Sequence, residues 1–190
     1  LFLAPHPKMN LGAMKDRVSN GAQWAGIDKQ LSSIPGLPLE KFKGKVMNVE
    51  HHRSHIASAF FASPFEEAAC LSIDGSGDFT TTMIGVGRGN KIEILDSIDF
   101  PHSMGIFYTA FTQLLGFPHY GDEYKVMGMA PYGEPKYLDL LEDVVKLTPD
   151  GLFKLNLKYF RSATQGIISY GDDNIPLVAP LFSETMVNRF

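Results

Sequence analysis

The sequence predicts an α/β fold with a mixed sheet, and three observations support that class. The segment AACLSID (68–74) is a nearly continuous apolar run, as expected of a buried strand. Two alternating segments, TTTMIGVGRG and KIEILDSIDF, follow it and are separated by the turn pair Gly89-Asn90, which predicts an antiparallel three-stranded meander. Elsewhere, two segments place apolar residues at helical spacing.

The first part of the chain predicts less regular structure. Residues 1–30 have a loosely helical pattern, and SSIPGLPLEKFKG (32–44) is a connector rich in Pro and Gly. The alternation in KVMNVE (45–50) predicts a short strand. Small and apolar residues at helical spacing in SHIASAFFAS (54–63) predict a helix, which Pro64 is expected to end.

Two helices and an extended segment are predicted after the meander. MGIFYTAFTQLLG (104–116) is amphipathic, with Ser103 as a candidate N-cap and Gly116 as a C-cap. YLDLLEDVVKLT (137–148) predicts a second amphipathic helix. GLFKLNLKYF (151–160) alternates in the manner of an edge strand or hairpin arm.

Composition and charge exclude several classes of protein. The chain has 190 residues, of which 44% are hydrophobic and 20% charged, which is ordinary for a globular protein. Because the net charge is −4, no basic field exists to hold nucleic acid or an anionic membrane, and we expect neither as a partner. The single cysteine, Cys70, excludes an internal disulfide and fits a reducing compartment, so we expect a cytoplasmic protein.

Both ends of the chain lead us to expect a piece of a longer protein. It begins with LFLAPHPKMN, without an initiator methionine, and stops at SETMVNRF inside a predicted helix. We expect residues 1–44 to form a partial helical and connector region, and residues 45–190 to form the main part of an incomplete domain.

Three of the six histidines lie within five positions, at the start of the helix predicted after residue 50. His51 and His55 are four residues apart, so on a helix they share one face and can share a divalent cation. His52 points elsewhere and ranks behind them. The alternative is that these histidines are solvated or structural, because an HxxxH pair alone is a weak signal.

The segment SIDGSGD (72–78) strengthens the prediction of a metal site at the histidine pair. A carboxylate at the end of a buried strand, here Asp74, can ligate a metal or hold a metal-bound water. Glycines after it allow backbone N–H groups to approach phosphate oxygens, although a plain hairpin turn is the alternative. The residues concerned are Gly75, Ser76 and Gly77.

A second polar segment, HYGDEYKVMGMAPYG (119–133), is dense in Gly, Tyr and charge. Glu123 and Lys125 are expected to form a surface ion pair of little energetic value, or else Lys125 meets an anionic ligand. Met127 and Met129 are expected to fill the core.

Four motifs in this order and spacing resemble one family, the O-carbamoyltransferases of the NodU/CmcH type. They are HHRSHIASAFFASPFEEA, LSIDGSGDFTTT, HSMGIFYTAFTQLLGF and GDEYKVMGMAPYG, covering about His51 to Gly133. The family is similar to the ATPases of threonylcarbamoyladenosine synthesis and shares the actin, hexokinase and Hsp70 (ASKHA) fold. The resemblance therefore implies a ribonuclease H-like mixed sheet in residues 45–190, with the second half of the fold and the adenylate-forming domain outside this chain.

The resemblance also implies an activity and its cofactors. Family members make a carbamoyl-adenylate from carbamoyl phosphate and ATP, and pass the carbamoyl group to a hydroxyl of a small metabolite. A divalent metal, often iron, takes part, although the donor atoms suit zinc or manganese nearly equally. The acceptor and the oligomeric state, a homo-oligomer included, stay open, and the chain alone is expected to be inactive.

For individual residues, the resemblance implies that His51 and His55 are metal ligands and that Asp74 joins them as a third ligand and catalytic carboxylate. Lys125 would neutralise charge on the adenylate. The backbone donors that would approach the same ligand belong to Gly75, Ser76 and Gly77.

Two interpretations from other classes remain. One is a phosphotransferase of the same fold, such as a sugar kinase, which needs a carboxylate base but has no use for an HxxxH pair. The other is a non-catalytic interaction domain in which the histidines are structural, which predicts neither metal nor nucleotide binding.

Overall fold

The computed structural model describes residues 34–35, 47–170 and 176–190. The chain divides into two compact units, Leu1–Val49 and Glu50–Phe190, and every helix and strand of the described residues lies in the second. The helical pattern predicted over residues 1–30, and the connector apart from residues 34–35, lie outside the described residues. The strand predicted over residues 45–50 is wrong where it is described, since residues 47–50 join no sheet and Glu50 caps a helix instead.

The predicted meander is confirmed as a three-stranded antiparallel sheet. Its strands are β1 (Glu67–Gly77), β2 (Thr80–Arg88) and β3 (Lys91–Asp99), in the order β1-β2-β3. The turn between β2 and β3 contains Gly89, whose φ of 55° is a conformation that glycine adopts without steric cost. Because all three strands are contiguous in sequence, local turn signals were sufficient to predict their pairing.

Helix α1 (His51–Phe60) packs on this sheet. It begins three residues earlier than the apolar pattern predicted. Its buried residues His52, Ile56 and Phe60 recur every four positions and so form one stripe. Ile56 and Phe60 form a small core with Cys70 and Met83. Burial of each of these two apolar side chains stabilises the fold by roughly 1.5–3 kcal/mol.

Two glycines allow α1 to approach the sheet closely, one at each end. A Cβ atom added to Gly77 would lie 2.0 Å from the imidazole Cδ2 of His51. A Cβ atom added to Gly87 would lie 2.6 Å from the ring of Phe60. Any larger residue at either position would therefore displace the corresponding end of the helix or its side chain.

Helix α2 (Met104–Leu114) confirms the second predicted helix and both of its predicted caps. The Ser103 hydroxyl accepts a hydrogen bond from the Ile106 amide, and Gly116 takes a φ of 92° just after the helix. The inner face of α2 packs into a larger core with the distal part of the chain. The buried members of this core are Ile106, Ala110, Val144, Leu155, Tyr159, Phe160, Leu181 and Met186.

The distal part consists of short elements. They are α3 (Glu123–Met129), α4 (Leu138–Leu141), β4 (Val145–Leu147), β5 (Phe153–Leu155), α5 (Ser162–Gln165), β6 (Ile168–Tyr170), β7 (Pro176–Val178) and α6 (Glu184–Val187). Single 3-10 turns also occur at Ala130–Tyr132 and Leu157–Tyr159.

The helix predicted over residues 137–148 is wrong beyond Leu141. The following residues leave the helix and form β4, which pairs with β5 in an antiparallel hairpin. Two successive β-branched residues, Val144 and Val145, suit extended backbone, and Gly151 with a φ of 83° closes the turn. The segment 151–160, predicted as an edge strand or hairpin arm, therefore forms the second arm of this hairpin.

The α/β class is confirmed, whereas the mixed sheet is not. Every strand pairing within residues 47–170 and 176–190 is antiparallel. The ribonuclease H-like assignment therefore stays a prediction. In the same residues, no helix combines the length and the apolar character that crossing a bilayer requires.

Candidate metal centre

Two histidines and one aspartate converge where α1 begins and β1 approaches its end. The Nε2 atom of His51 lies 2.9 Å from the Asp74 Oδ2 atom and 2.9 Å from the Nε2 atom of His55. The third distance, from His55 Nε2 to Asp74 Oδ2, is 3.7 Å. The structure thus brings together the three residues that the sequence nominated as metal ligands.

The triad of His51, His55 and Asp74 has the donor chemistry of a transition-metal site. Two imidazole nitrogens and a carboxylate oxygen can be chosen within 4.8 Å of one another. Such a mixed N/O set suits iron, zinc and manganese, and offers three of the four to six positions that these metals use. The donor set therefore fits the kind of metal expected from the sequence.

Solvent reaches the triad from one side. The side chains of His51, His55 and Asp74 are 40%, 55% and 43% exposed. Next to them lies a shallow open pocket of about 390 Å³, lined by His55, Asp74 and the β1 residues between Leu71 and Ile73. Within the described residues, the triad is therefore open to a small ligand or ion.

The electrostatics of Asp74 favour its charged form. Burial raises the pKa of this carboxyl, but the hydrogen bonds from His51 and from the Gly75 amide, with the nearby imidazoles, outweigh burial and lower the pKa below its ordinary value. Asp74 is therefore a carboxylate at neutral pH, which is the form that ligates a metal.

Two further carboxylates fix the start of α1. Glu50 accepts hydrogen bonds from the amides of His52 (3.0 Å) and Arg53 (2.7 Å), so it caps the helix. Asp78 Oδ2 lies 3.2 Å from the amide of His51 and accepts its hydrogen bond. Negative charge beside a helix N-terminus is favourable, and here it also sets where the first histidine stands.

From the other side, α2 supports the backbone around Asp74. The Ser103 hydroxyl lies 3.0 Å from the carbonyl oxygen of Asp74 and 2.7 Å from that of Gly75. A Cβ atom added to Gly105 would lie 2.5 Å from the Gly75 nitrogen, so the helix meets this backbone directly. The sequence indicated Ser103 only as a helix cap, and only the fold reveals its second role.

The glycine segment after Asp74 is not a separate loop. Residues 75–77 continue β1, with irregular pairing between Ile73 and Gly77. The Gly75 amide lies 2.6 Å from the Asp74 Oδ1 atom and donates to it, so that donor is already engaged. Gly77 instead provides the space for the His51 ring. Phosphate binding by Gly75, Ser76 and Gly77 stays a prediction.

Lys125 lies on α3 and takes a partner other than the predicted one. Its Nζ atom lies 2.6 Å from the Asp122 Oδ1 atom, whereas Glu123 accepts a hydrogen bond from the hydroxyl of Thr109. The predicted Glu123–Lys125 pair is therefore wrong. The expectation that the two methionines of α3 fill the core is also wrong, because Met127 and Met129 are 63% and 47% exposed.

Comparison with known proteins identifies relatives over much of the chain. The family profile described as "Carbamoyltransferase N-terminus" matches residues 20–173. An uncharacterised protein of Synechocystis is 54% identical over 116 residues, which is 60% of this chain and 19% of that protein.

Two nodulation proteins are also similar. "Nodulation protein NolNO" of Sinorhizobium fredii is 40% identical over 60% of this chain and 17% of its own length. "Nodulation protein NolO" of Bradyrhizobium diazoefficiens is 40% identical over 57% of this chain and 20% of its own. The chain thus spans about a fifth of the length of these curated relatives.

Proposed function

The chain belongs to the NodU/CmcH-type carbamoyltransferase family, as its match to the family's N-terminal part shows. From this membership, we propose that the full-length protein transfers a carbamoyl group to a hydroxyl of a small metabolite. The donor would be a carbamoyl-adenylate made from carbamoyl phosphate, ATP and one water molecule, with release of phosphate and pyrophosphate. In the transfer, the acceptor oxygen forms a bond to the carbamoyl carbon, AMP departs with the electrons of the broken C–O bond, and the hydroxyl proton passes to water.

The structural observation that supports this proposal is the convergence of His51, His55 and Asp74. We propose that these three side chains hold a divalent metal, with iron as the first candidate and zinc or manganese as alternatives. When bound, the metal would act as a Lewis acid toward a phosphate or carbamoyl oxygen.

The roles of the surrounding residues follow from their contacts. Glu50 and Asp78 hold the start of α1 and so orient His51, while Ser103 fixes the backbone that carries Asp74. We propose that Lys125, whose ammonium pairs with the buried Asp122 carboxylate, neutralises charge on the adenylate. A homo-oligomer and a cytoplasmic setting are further proposals that rest on the sequence alone.

Metal content of the full-length protein, purified without a histidine tag, tests the proposal first. We expect about one divalent metal per chain, lost in His51→Ala and retained in His119→Ala, which removes an exposed histidine outside the triad. Wild-type protein should then carbamoylate a hydroxylated acceptor with ATP and carbamoyl phosphate, and His51→Ala should not. Absence of metal even after anaerobic reconstitution with iron would return the histidines to a structural role.

A further inference from the structure

His52, the histidine that the sequence ranked last, is the one that the fold buries. Its exposed fraction is 0%, and both ring nitrogens have a partner. The Nδ1 atom lies 2.7 Å from the Ser72 hydroxyl oxygen, and the Nε2 atom lies 2.9 Å from the Thr80 carbonyl oxygen. Both distances are those of good hydrogen bonds, so the ring is held at two points.

The chemistry of the two partners determines how the ring is bonded. The Thr80 carbonyl can only accept, so Nε2–H of His52 donates to it. The Ser72 hydroxyl can donate, so Nδ1 accepts from it. A single proton on the imidazole therefore satisfies every polar group in the cluster of His52, Ser72 and Thr80, and no charge needs to be buried.

The two partners lie on the strands that carry the metal centre. Ser72 precedes Asp74 by two residues on β1, so the two side chains point to the same side of the strand. Thr80 begins β2 two residues after Asp78, whose carboxylate binds the His51 amide. His52 therefore joins the first turn of α1 to both strands beside the centre.

We propose that His52 is a positioning residue that sets the distance of His51 and His55 from Asp74. This inference rests on the proposed metal function of the triad. Since His51 precedes His52 directly and His55 follows three residues later, a shift of the first helical turn moves both histidines together. Metal ligands tolerate displacements of only about 0.5 Å, so a buried anchor in the same turn affects affinity without touching the metal.

Cobalt binding by the full-length protein, from which any bound metal has first been removed with a chelator, tests this role, with Co²⁺ alone as the probe and its visible absorption as the readout. We expect His52→Ala to weaken Co²⁺ binding by about 10- to 100-fold and to change the absorption bands, as loss of supporting interactions does in other metal sites. Ser72→Ala, which removes one of the two hydrogen bonds, should weaken Co²⁺ binding by a smaller factor. This variant still tests the role if His52→Ala does not fold.

A conservative variant and a stability control separate positioning from general destabilisation. His52→Gln carries an amide that can donate to the Thr80 carbonyl and accept from Ser72, so it should recover most of the lost affinity. Met83→Ala removes packing from the same core while leaving both hydrogen bonds of His52 in place, so it should lower the melting temperature and leave Co²⁺ affinity within about twofold.

The outcomes distinguish this inference from the function on which it rests. If wild-type protein fails to bind Co²⁺, the proposed metal function is wrong and the positioning role is wrong with it. If wild-type protein binds and a folded His52→Ala binds equally well, only the positioning role is overturned. Equal losses in His52→Ala and Met83→Ala would also overturn it, because affinity would then follow stability alone.

Discussion

Two aspartates organise two different regions of the molecule, and their partners differ in kind. Asp143 lies just before β4 and accepts hydrogen bonds from the Tyr159 hydroxyl at 2.6 Å and from the Lys158 ammonium at 2.9 Å. These bonds lower its pKa to about 2. Asp74 is also held as a carboxylate, but its side-chain partners are the imidazoles of His51 and His55.

The difference shows how one residue type serves as a structural link or as a candidate ligand. An ammonium group has no lone pair, so Lys158 can only donate and the Asp143 cluster is complete as it stands. An imidazole can exchange a hydrogen bond for a metal bond, so the Asp74 cluster can reorganise around a cation. The partners, rather than the carboxylate itself, mark the candidate site.

The largest effect is expected when the Asp74 carboxylate is removed, with removal of the Asp143 carboxylate as the matched control. In the full-length protein, Asp74→Asn should abolish metal binding and carbamoyl transfer, with losses of at least about 100-fold, and leave folding largely intact, because a ligand is lost from a half-exposed position. Asp143→Asn should keep both functions. Metal analysis, turnover and circular dichroism on the two variants check this, and near-normal turnover in Asp74→Asn would remove its metal role.

A smaller effect on metal affinity is expected when the space beside the His51 ring is filled. Gly77→Ala should force the His51 ring to move and weaken metal binding by about 10-fold, since the new Cβ atom would lie 2.0 Å from the ring. Gly87→Ala crowds Phe60 at the other end of α1 and should reduce stability while preserving metal affinity. Titration calorimetry with Zn²⁺ and thermal melts measure the two properties, and equal affinities in both variants would contradict the assignment.

Acid unfolding tests whether the charge of Asp143 stabilises the fold. Its folded pKa of about 2 lies below its ordinary value of 3.8, so its contribution to stability is present above about pH 4 and is lost as the pH falls toward 2. Asp143→Asn should be less stable than wild type at pH 7, and this deficit should shrink between pH 4 and pH 2. Urea midpoints across that range measure the deficit, and a deficit that stays constant would show that the carboxylate's charge contributes nothing.

The smallest effect on stability is expected at Lys125. Its ion pair with Asp122 joins a partly exposed ammonium to a buried carboxylate, which also accepts a hydrogen bond from the His119 amide. Because a Gln side chain can still donate a hydrogen bond to Asp122, Lys125→Gln should lower the melting temperature only slightly. If Lys125 neutralises charge on the adenylate, the same variant should raise the KM for ATP several-fold. Steady-state kinetics decide this, and an unchanged KM would leave Lys125 as a surface residue.

The sequence predicted structure well where neighbours in the chain are also neighbours in space. The meander from β1 to β3 needed only local turns, and the cap at Ser103 is a property of one helix end. The helix over residues 137–148 failed because pairing with β5, a tertiary interaction, outweighs the helical pattern. Parallel strands of a mixed sheet require partners that local patterns do not specify.

For the candidate site, the HxxxH spacing, the strand end at Asp74 and the family resemblance together nominated His51, His55 and Asp74, and the fold brings them together. What the sequence could not predict is the support around them. The ranking of His52 rested on helical geometry, which tells where a side chain points but not what lies there. Likewise, the glycine segment suggested phosphate contacts, whereas Gly77 contacts the His51 ring, because close approach of α1 is visible only in three dimensions.

The hydroxyl of Ser103 has a consequence beyond the support it gives to Asp74. The same oxygen accepts a hydrogen bond from the Ile106 amide, and Ile106 belongs to the distal core. One atom thus links the backbone of the candidate centre to a side chain that packs against residues far along the chain, such as Leu181 and Met186. We therefore expect removal of this hydroxyl, as in Ser103→Ala, to loosen at once the backbone that carries Asp74 and the start of α2, from which Ile106 enters the core.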